Sequence, residues 1–180
     1  VKQLDGTGLK RLHREWRRRT TARLALVLDS VQSPFNVGSI VRTAAAYRVE
    51  HIWSCGATAP LDASGVRKTA MGTERYLTID VVENVAAAIT AARDDGFLVI
   101  GLELAGDARP LHELTLHDTC LVVGHEDHGL SAATLARCDE VAYVPLVGKV
   151  GSLNVAVATA TALYEARRQE WTRESTGDAT

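Results

Sequence analysis

Short apolar runs recur along the chain, separated by stretches whose apolar residues are spaced for helices. Residues 24–28 (LALVL) are too brief for a helix and read as a strand buried on both faces. Residues 51–54, 76–82, 97–102, 121–123 and 141–145 supply further extended segments. Between them, residues 38–47 and the alanine-rich 85–93, closed by Asp-Asp-Gly, have helical character. A Gly/Ala/Pro-containing loop at 55–65 leads to a short helix or turn near 66–71. Close to the N-terminus, Leu9, Leu12 and Trp16 have the three-and-four spacing of a short amphipathic helix over 9–21. Strand and helix in alternation predict an α/β domain with a mostly parallel sheet flanked by helices. Ligands in such open sheets gather at the carboxyl ends of strands, where loops 29–36, 102–109, 124–130 and 145–152 should emerge.

The last apolar segment has the most distinctive approach. Residues 144–158 read VPLVGKVGSLNVAVA: an extended stretch ends at Pro145, a glycine-bracketed loop spans 148–151, and an alanine-rich helix continues to about Tyr164. Ser152 occupies the expected N-cap and Asn154 the first turn, so two polar side chains sit beside unpaired backbone N–H groups.

Composition narrows the picture. A chain of 180 residues with 46% hydrophobic content fits one domain with a sizeable core, expected over 23–171 between a basic extension (1–22) and a frayed, flexible tail (172–180). No run has the length of a membrane span, and the basic N-terminus lacks the apolar region of a signal peptide, so a soluble, cytoplasmic protein is expected. Cys55, Cys120 and Cys138 form no C-x-x-C pair and read as reduced thiols. Charge is more informative: residues 1–48 carry ten Lys or Arg against three Asp or Glu (+7), the rest ten against nineteen (−9). The basic end suggests a polyanion partner, with Lys10, Arg11, Arg14, Arg17, Arg18 and Arg19 placed to track phosphates and Trp16 either packed on the body or stacked on a base.

Three loops carry candidate chemistry. Residues 124–130 (GHEDHGL) have the glycine spacing of a phosphate-binding loop, but Leu130 stands where its lysine must be, and no G-x-G-x-x-G occurs, so nucleotide-dependent enzymes lack support. His125 and His128 have no third ligand nearby, and no metal is expected. Glu126 could equally cap neighbouring backbone N–H groups, and Arg42, in NVGSIVRT (36–43), could be an ion-pairing helix arginine.

Taken in order, NVGSIVRT, GHEDHGL and VPLVGKVGSLNVAVA resemble the three motifs of the SpoU/TrmH branch of the SPOUT RNA methyltransferases, over about residues 23–168. The resemblance implies a C-terminal trefoil knot, S-adenosyl-L-methionine as cofactor, a homodimer, and methyl transfer to a ribose 2′-hydroxyl of RNA. A tRNA is favoured over ribosomal RNA because a short basic helix stands in place of a separate RNA-binding domain. A non-catalytic RNA-binding protein on the same scaffold is the alternative. By motif position, Gly124, Val144 and Leu153, with Leu102 nearby, should line the cofactor site. Arg42 should act on the substrate, Asn36 should position Arg42 or the RNA, Glu126 should support the pocket, and Ser152 and Asn154 should order it. The apolar faces of 37–46 and 153–163 are candidates for the twofold contact, although a buried core would use them equally well.

Overall fold

In the computed structural model, residues 3–176 are described. The elements in order are α1 (Gly6–Arg18), β1 (Leu24–Asp29), α2 (Pro34–Ala46), β2 (His51–Cys55), α3 (Ser64–Ala70), a 3-10 turn (Thr73–Tyr76) and β3 (Thr78–Val81). They continue with α4 (Val85–Asp94), β4 (Leu98–Leu102), β5 (Arg109–Pro110), a second 3-10 turn (Leu111–Glu113), β6 (Thr119–Val123), α5 (Ala132–Leu135), β7 (Glu140–Tyr143) and α6 (Val155–Thr176). The strands form one seven-stranded sheet in the order β3-β2-β1-β6-β4-β7-β5, and every pairing in it is parallel.

Period-two alternation explains why β1 is apolar throughout. Leu24, Leu26 and Leu28 face one core with α2, α3 and α6, while Ala25 and Val27 face a second with Ala88, Ile89 and Ala92 of α4. β6 repeats the pattern, with Leu121 and Val123 on the first face and Cys120 and Val122 on the second. The chain builds β1, β2 and β3 outward, crosses to lay down β4, and returns to insert β6 between β1 and β4. That insertion is consistent with the knot the resemblance implies.

Helix α2 starts four residues earlier than its apolar pattern indicates, because Ser33 caps it by accepting from the Asn36 N–H at 3.4 Å and Pro34 fixes the first turn. It packs closely on α3: a Cβ at Gly38 would lie 2.7 Å from the Val66 carbonyl oxygen, so a glycine is required there. Val37, Ile40, Val41 and Ala44 on α2, and Ala156, Ala162 and Leu163 on α6, are buried in the chain's own core, which absorbs most of the two faces considered for a twofold contact. β5, two residues long, carries no readable pattern. The frayed tail expected from Thr172 begins later, since α6 is continuous to Thr176. Residues 177–180 lie outside the described residues.

Helix α6 is held by a buried ion pair. Arg167, 2% exposed, meets Glu170 at 2.9 Å and donates to the carbonyls of Ala22, Tyr47 and Arg48 at 2.7, 2.9 and 3.1 Å. Burial pulls the guanidinium below its usual pKa, against the opposing pull of Glu170. Glu170 in turn accepts from the N–H groups of Thr21 and Ala22. One pair thus joins the last helix to the entry of β1 and the α2–β2 turn. Arg167→Met leaves the Glu170 carboxylate buried without its partner and should cost about 3–5 kcal/mol, read as a lower urea midpoint. Pairing it with Glu170→Met should recover part of that loss.

Candidate active site

The loops following β4, β6 and β7 surround a cavity of about 480 Å³ at the carboxyl edge of the sheet. This volume lies within the roughly 300–1,000 Å³ usual for small-molecule sites. Leu102, Val123, Val144, Leu146, Leu153 and Val155 give it apolar walls, and the loops 124–129 and 148–152 give it polar main chain. Gly124, Val144, Leu153 and Leu102, expected at a cofactor site, all line it, as do Glu126 and Ser152. Among the described residues no Lys or Arg does, whereas Glu103, Glu126 and Asp127 are part of its lining.

The three motif loops are joined by side chains. The Glu126 carboxylate accepts from the N–H groups of Gln32 and Ser33 at 3.1 and 2.9 Å and from Asn36 Nδ2 at 2.9 Å. Asn36 Oδ1 accepts from Asn154 Nδ2 at 3.0 Å. Asn154 Oδ1 accepts from the N–H groups of Ala156 and Val157 at 2.9 and 3.3 Å. Asn154 is therefore the N-cap of α6, and the cap expected at Ser152 shifts by two residues, because the loop stays extended until the amide can reach both Asn36 and the helix end. Partial burial pushes the Glu126 carboxyl upward, but the bonds from Asn36, the Ser33 N–H, its own backbone and the Gln32 N–H outweigh it and hold the carboxyl below its ordinary value.

A second carboxylate, not singled out by the sequence, shapes the 124–130 loop from the other side. Glu103 accepts from the Leu130 N–H at 2.8 Å and from the Leu104 N–H at 3.1 Å. A Cβ at Gly124 would sit 2.5 Å from the Gly129 carbonyl oxygen, so the loop doubles back too tightly for any other residue. The position of Glu103 just past β4, in a loop expected to face ligand, was the available signal. His125 and His128 stack at 4.8 Å, and His125 Nδ1 accepts from the Asp127 N–H. Among the described residues, no group of three ligating side chains could hold a metal.

Arg42 stands apart. It is exposed on α2, about 9 Å along the helix from Asn36 at 1.5 Å per residue, does not line the cavity, and donates to the Met71 thioether at 2.9 Å. On α1, Lys10, Arg11, Arg14, Arg17 and Arg18 are exposed, whereas Arg19 caps the helix and lies over the Trp16 ring. Trp16 in turn packs on Trp171 of α6 at 4.7 Å, which places it on the body of the domain. Burial raises the Cys55 thiol to about 12 and the Cys138 thiol to about 11, keeping both protonated at neutral pH.

The cavity lies at the carboxyl edge of a parallel α/β sheet and is bordered by two of the three loops that the side-chain bonds join. The chain belongs to the SpoU rRNA methylase family, whose model matches residues 23–164. It is 39% identical over 149 residues to the 23S rRNA (guanosine-2′-O-)-methyltransferase RlmB of Pseudomonas aeruginosa, covering 81% of this chain and 59% of that protein. Among solved structures, the SpoU methyltransferase AviRb from Streptomyces viridochromogenes in complex with AdoMet is similar at TM-score 0.76 and 29% identity, over 87% of this chain and 64% of that one. The A. aeolicus TrmH/SpoU tRNA modifying enzyme is similar at TM-score 0.74 and 28% identity, over 92% and 86%. The chain spans 39% and 66% of the length of the first two curated relatives it matches. Among the described residues, no helix is long and apolar enough to cross a membrane.

The depressed Glu126 carboxyl has a defined pH signature. Its stabilising contribution is complete above the ordinary value of 4.5 and is lost as pH falls through the lower folded value. Urea midpoints from about pH 7 to about pH 3 should therefore fall more steeply for the wild type than for Glu126→Gln, which is already weaker at neutrality.

Proposed function

We propose that the chain is an S-adenosyl-L-methionine-dependent RNA methyltransferase acting on a ribose 2′-hydroxyl in the cytoplasm. The observation that carries this reading is the Asn154–Asn36–Glu126 relay, which joins all three family motifs to one another beside a cavity whose lining, among the described residues, includes no Lys or Arg. An anionic pocket with apolar walls suits a ligand bearing sulfonium and ammonium charges and an adenine ring, and repels a nucleoside triphosphate. Gly124, Val144, Leu153 and Leu102 would hold the adenosine through main-chain groups and apolar contact, with Glu103 and Asp127 facing the positive charges. When bound, the cofactor supplies an electrophilic methyl group on sulfur.

The chain's own contribution is alignment. The 2′-oxygen must approach the methyl carbon in line with the breaking carbon–sulfur bond while its proton leaves. Arg42 holds the neighbouring phosphate, orients the hydroxyl and lowers the cost of losing that proton. Asn36 and Asn154 keep the loops in register, Glu126 anchors them, and Ser152 orders the cavity mouth. Because Arg42 points away from the cavity of its own chain, we place it in the site of a second copy. The exposed Val157 and Tyr164 of α6 offer apolar surface for that contact. The exposed cations of α1 contact RNA backbone as an N-terminal arm at 1–22, ahead of the methyltransferase domain at 23–171.

For the substrate, similarity to 23S rRNA enzymes at 34–39% identity favours a guanosine ribose in ribosomal RNA. A tRNA, expected from the sequence, is the second reading, favoured by the likeness to the A. aeolicus tRNA modifying enzyme. Total RNA from cells lacking the protein, incubated with it and methyl-labelled cofactor, should acquire label on a ribose 2′-oxygen. Arg42→Ala should lower turnover by about 10²–10⁴-fold while leaving cofactor affinity within about twofold. Near-normal turnover would exclude the assigned role.

A further inference from the structure

A second basic surface, separate from α1, lies on α3 and the 3-10 turn after it. Arg67, Lys68 and Arg75 are exposed there, and Arg42 joins them through its contact with Met71 at the end of α3. Among the described residues, Arg67 and Lys68 make no ion pair. The one carboxylate between residues 63 and 77, Glu74, has its Oε2 buried and without a hydrogen-bond partner among the described residues, so it offers no exposed counter-charge through that atom.

Three large apolar side chains are interleaved with these cations. Phe35, Met71 and Tyr76 are 60%, 66% and 66% exposed. Phe35 lies over the start of α3, its Cζ 3.9 Å from where a Cβ on Gly65 would be. At the other end, Arg75 lies over the Tyr76 ring at 4.8 Å and donates to its hydroxyl at 2.8 Å. The surface is preformed, since α3 is seated on α2 at the Gly38 contact. Exposed cations next to exposed rings match what single-stranded nucleic acid requires: charge for phosphates and faces for bases.

We infer that the α3 surface is an RNA track that leads an unpaired strand from Arg67 and Lys68 past Tyr76 to Arg42. The track rests on the RNA methyltransferase reading and assigns the strand's path. Binding of a labelled 23S rRNA fragment and of unfractionated tRNA is compared for the wild type and for Arg67→Glu/Lys68→Glu across salt concentrations. The double variant should bind at least about tenfold more weakly at about 0.15 M salt, with the log-affinity against log-salt slope reduced by about 1.5. Its affinity for S-adenosyl-L-methionine should be unchanged. Tyr76→Ala, which leaves the charges intact, should weaken binding about tenfold with the slope retained. Wild-type RNA binding that persists at equal affinity and slope in the double variant overturns the track alone. So does a loss that accompanies a changed oligomeric state in light scattering, which marks the surface as a contact between copies. A wild type that binds no RNA and transfers no methyl group overturns the enzymatic reading itself.

Discussion

The carboxylate of Glu126 and the two asparagines in line with it are the constraint on which the site depends. Of the loops they join, the segment 145–152 has no strand partner, and its Val147 side chain is fully solvated. The relay ties the three loops to one another. A carboxylate that accepts three bonds is a better anchor than a neutral group, since charge-assisted bonds are roughly twice as strong as neutral ones. Asn154 adds a second duty by capping α6, so the start of the longest helix and the closure of the cavity are fixed by a single amide.

The rest of the fold delivers these groups to one place. Insertion of β6 between β1 and β4 brings the loop bearing Glu126 beside the loop that begins α2. Buried Arg167 and Glu170 pin the far end of α6 to the entry of β1, so the helix is held at both ends. Charge is divided accordingly: among the described residues the cavity lining holds three acidic residues and no Lys or Arg, while α1 and α3 carry exposed Lys and Arg.

Much of this was legible in the chain. Short apolar runs marked the interior strands because both faces of a parallel sheet are buried, and three glycine-containing motifs marked the loops that hydrogen-bond to one another beside the cavity. Strand order was not legible, because the return of β6 to the sheet interior depends on contacts far apart in sequence. The two-residue strand β5 is too short to carry periodicity. The cap fell at Asn154 instead of Ser152 because a tertiary bond to Asn36 selects between two competent residues. No local pattern marks Glu103, because its bond to the Leu130 N–H depends on a loop that reaches it from β6. The outward direction of Arg42 follows from the seating of α2 on α3, which no local pattern records.

The most direct measurement is a double-mutant cycle on Asn36→Ala and Asn154→Ala, read as the affinity for S-adenosyl-L-methionine by titration calorimetry. If one relay closes the cavity, the two losses overlap, and the coupling should reach about 0.5–3 kcal/mol. Losses that add to within about 0.3 kcal/mol would mean that the loops are held independently, and would contradict the account.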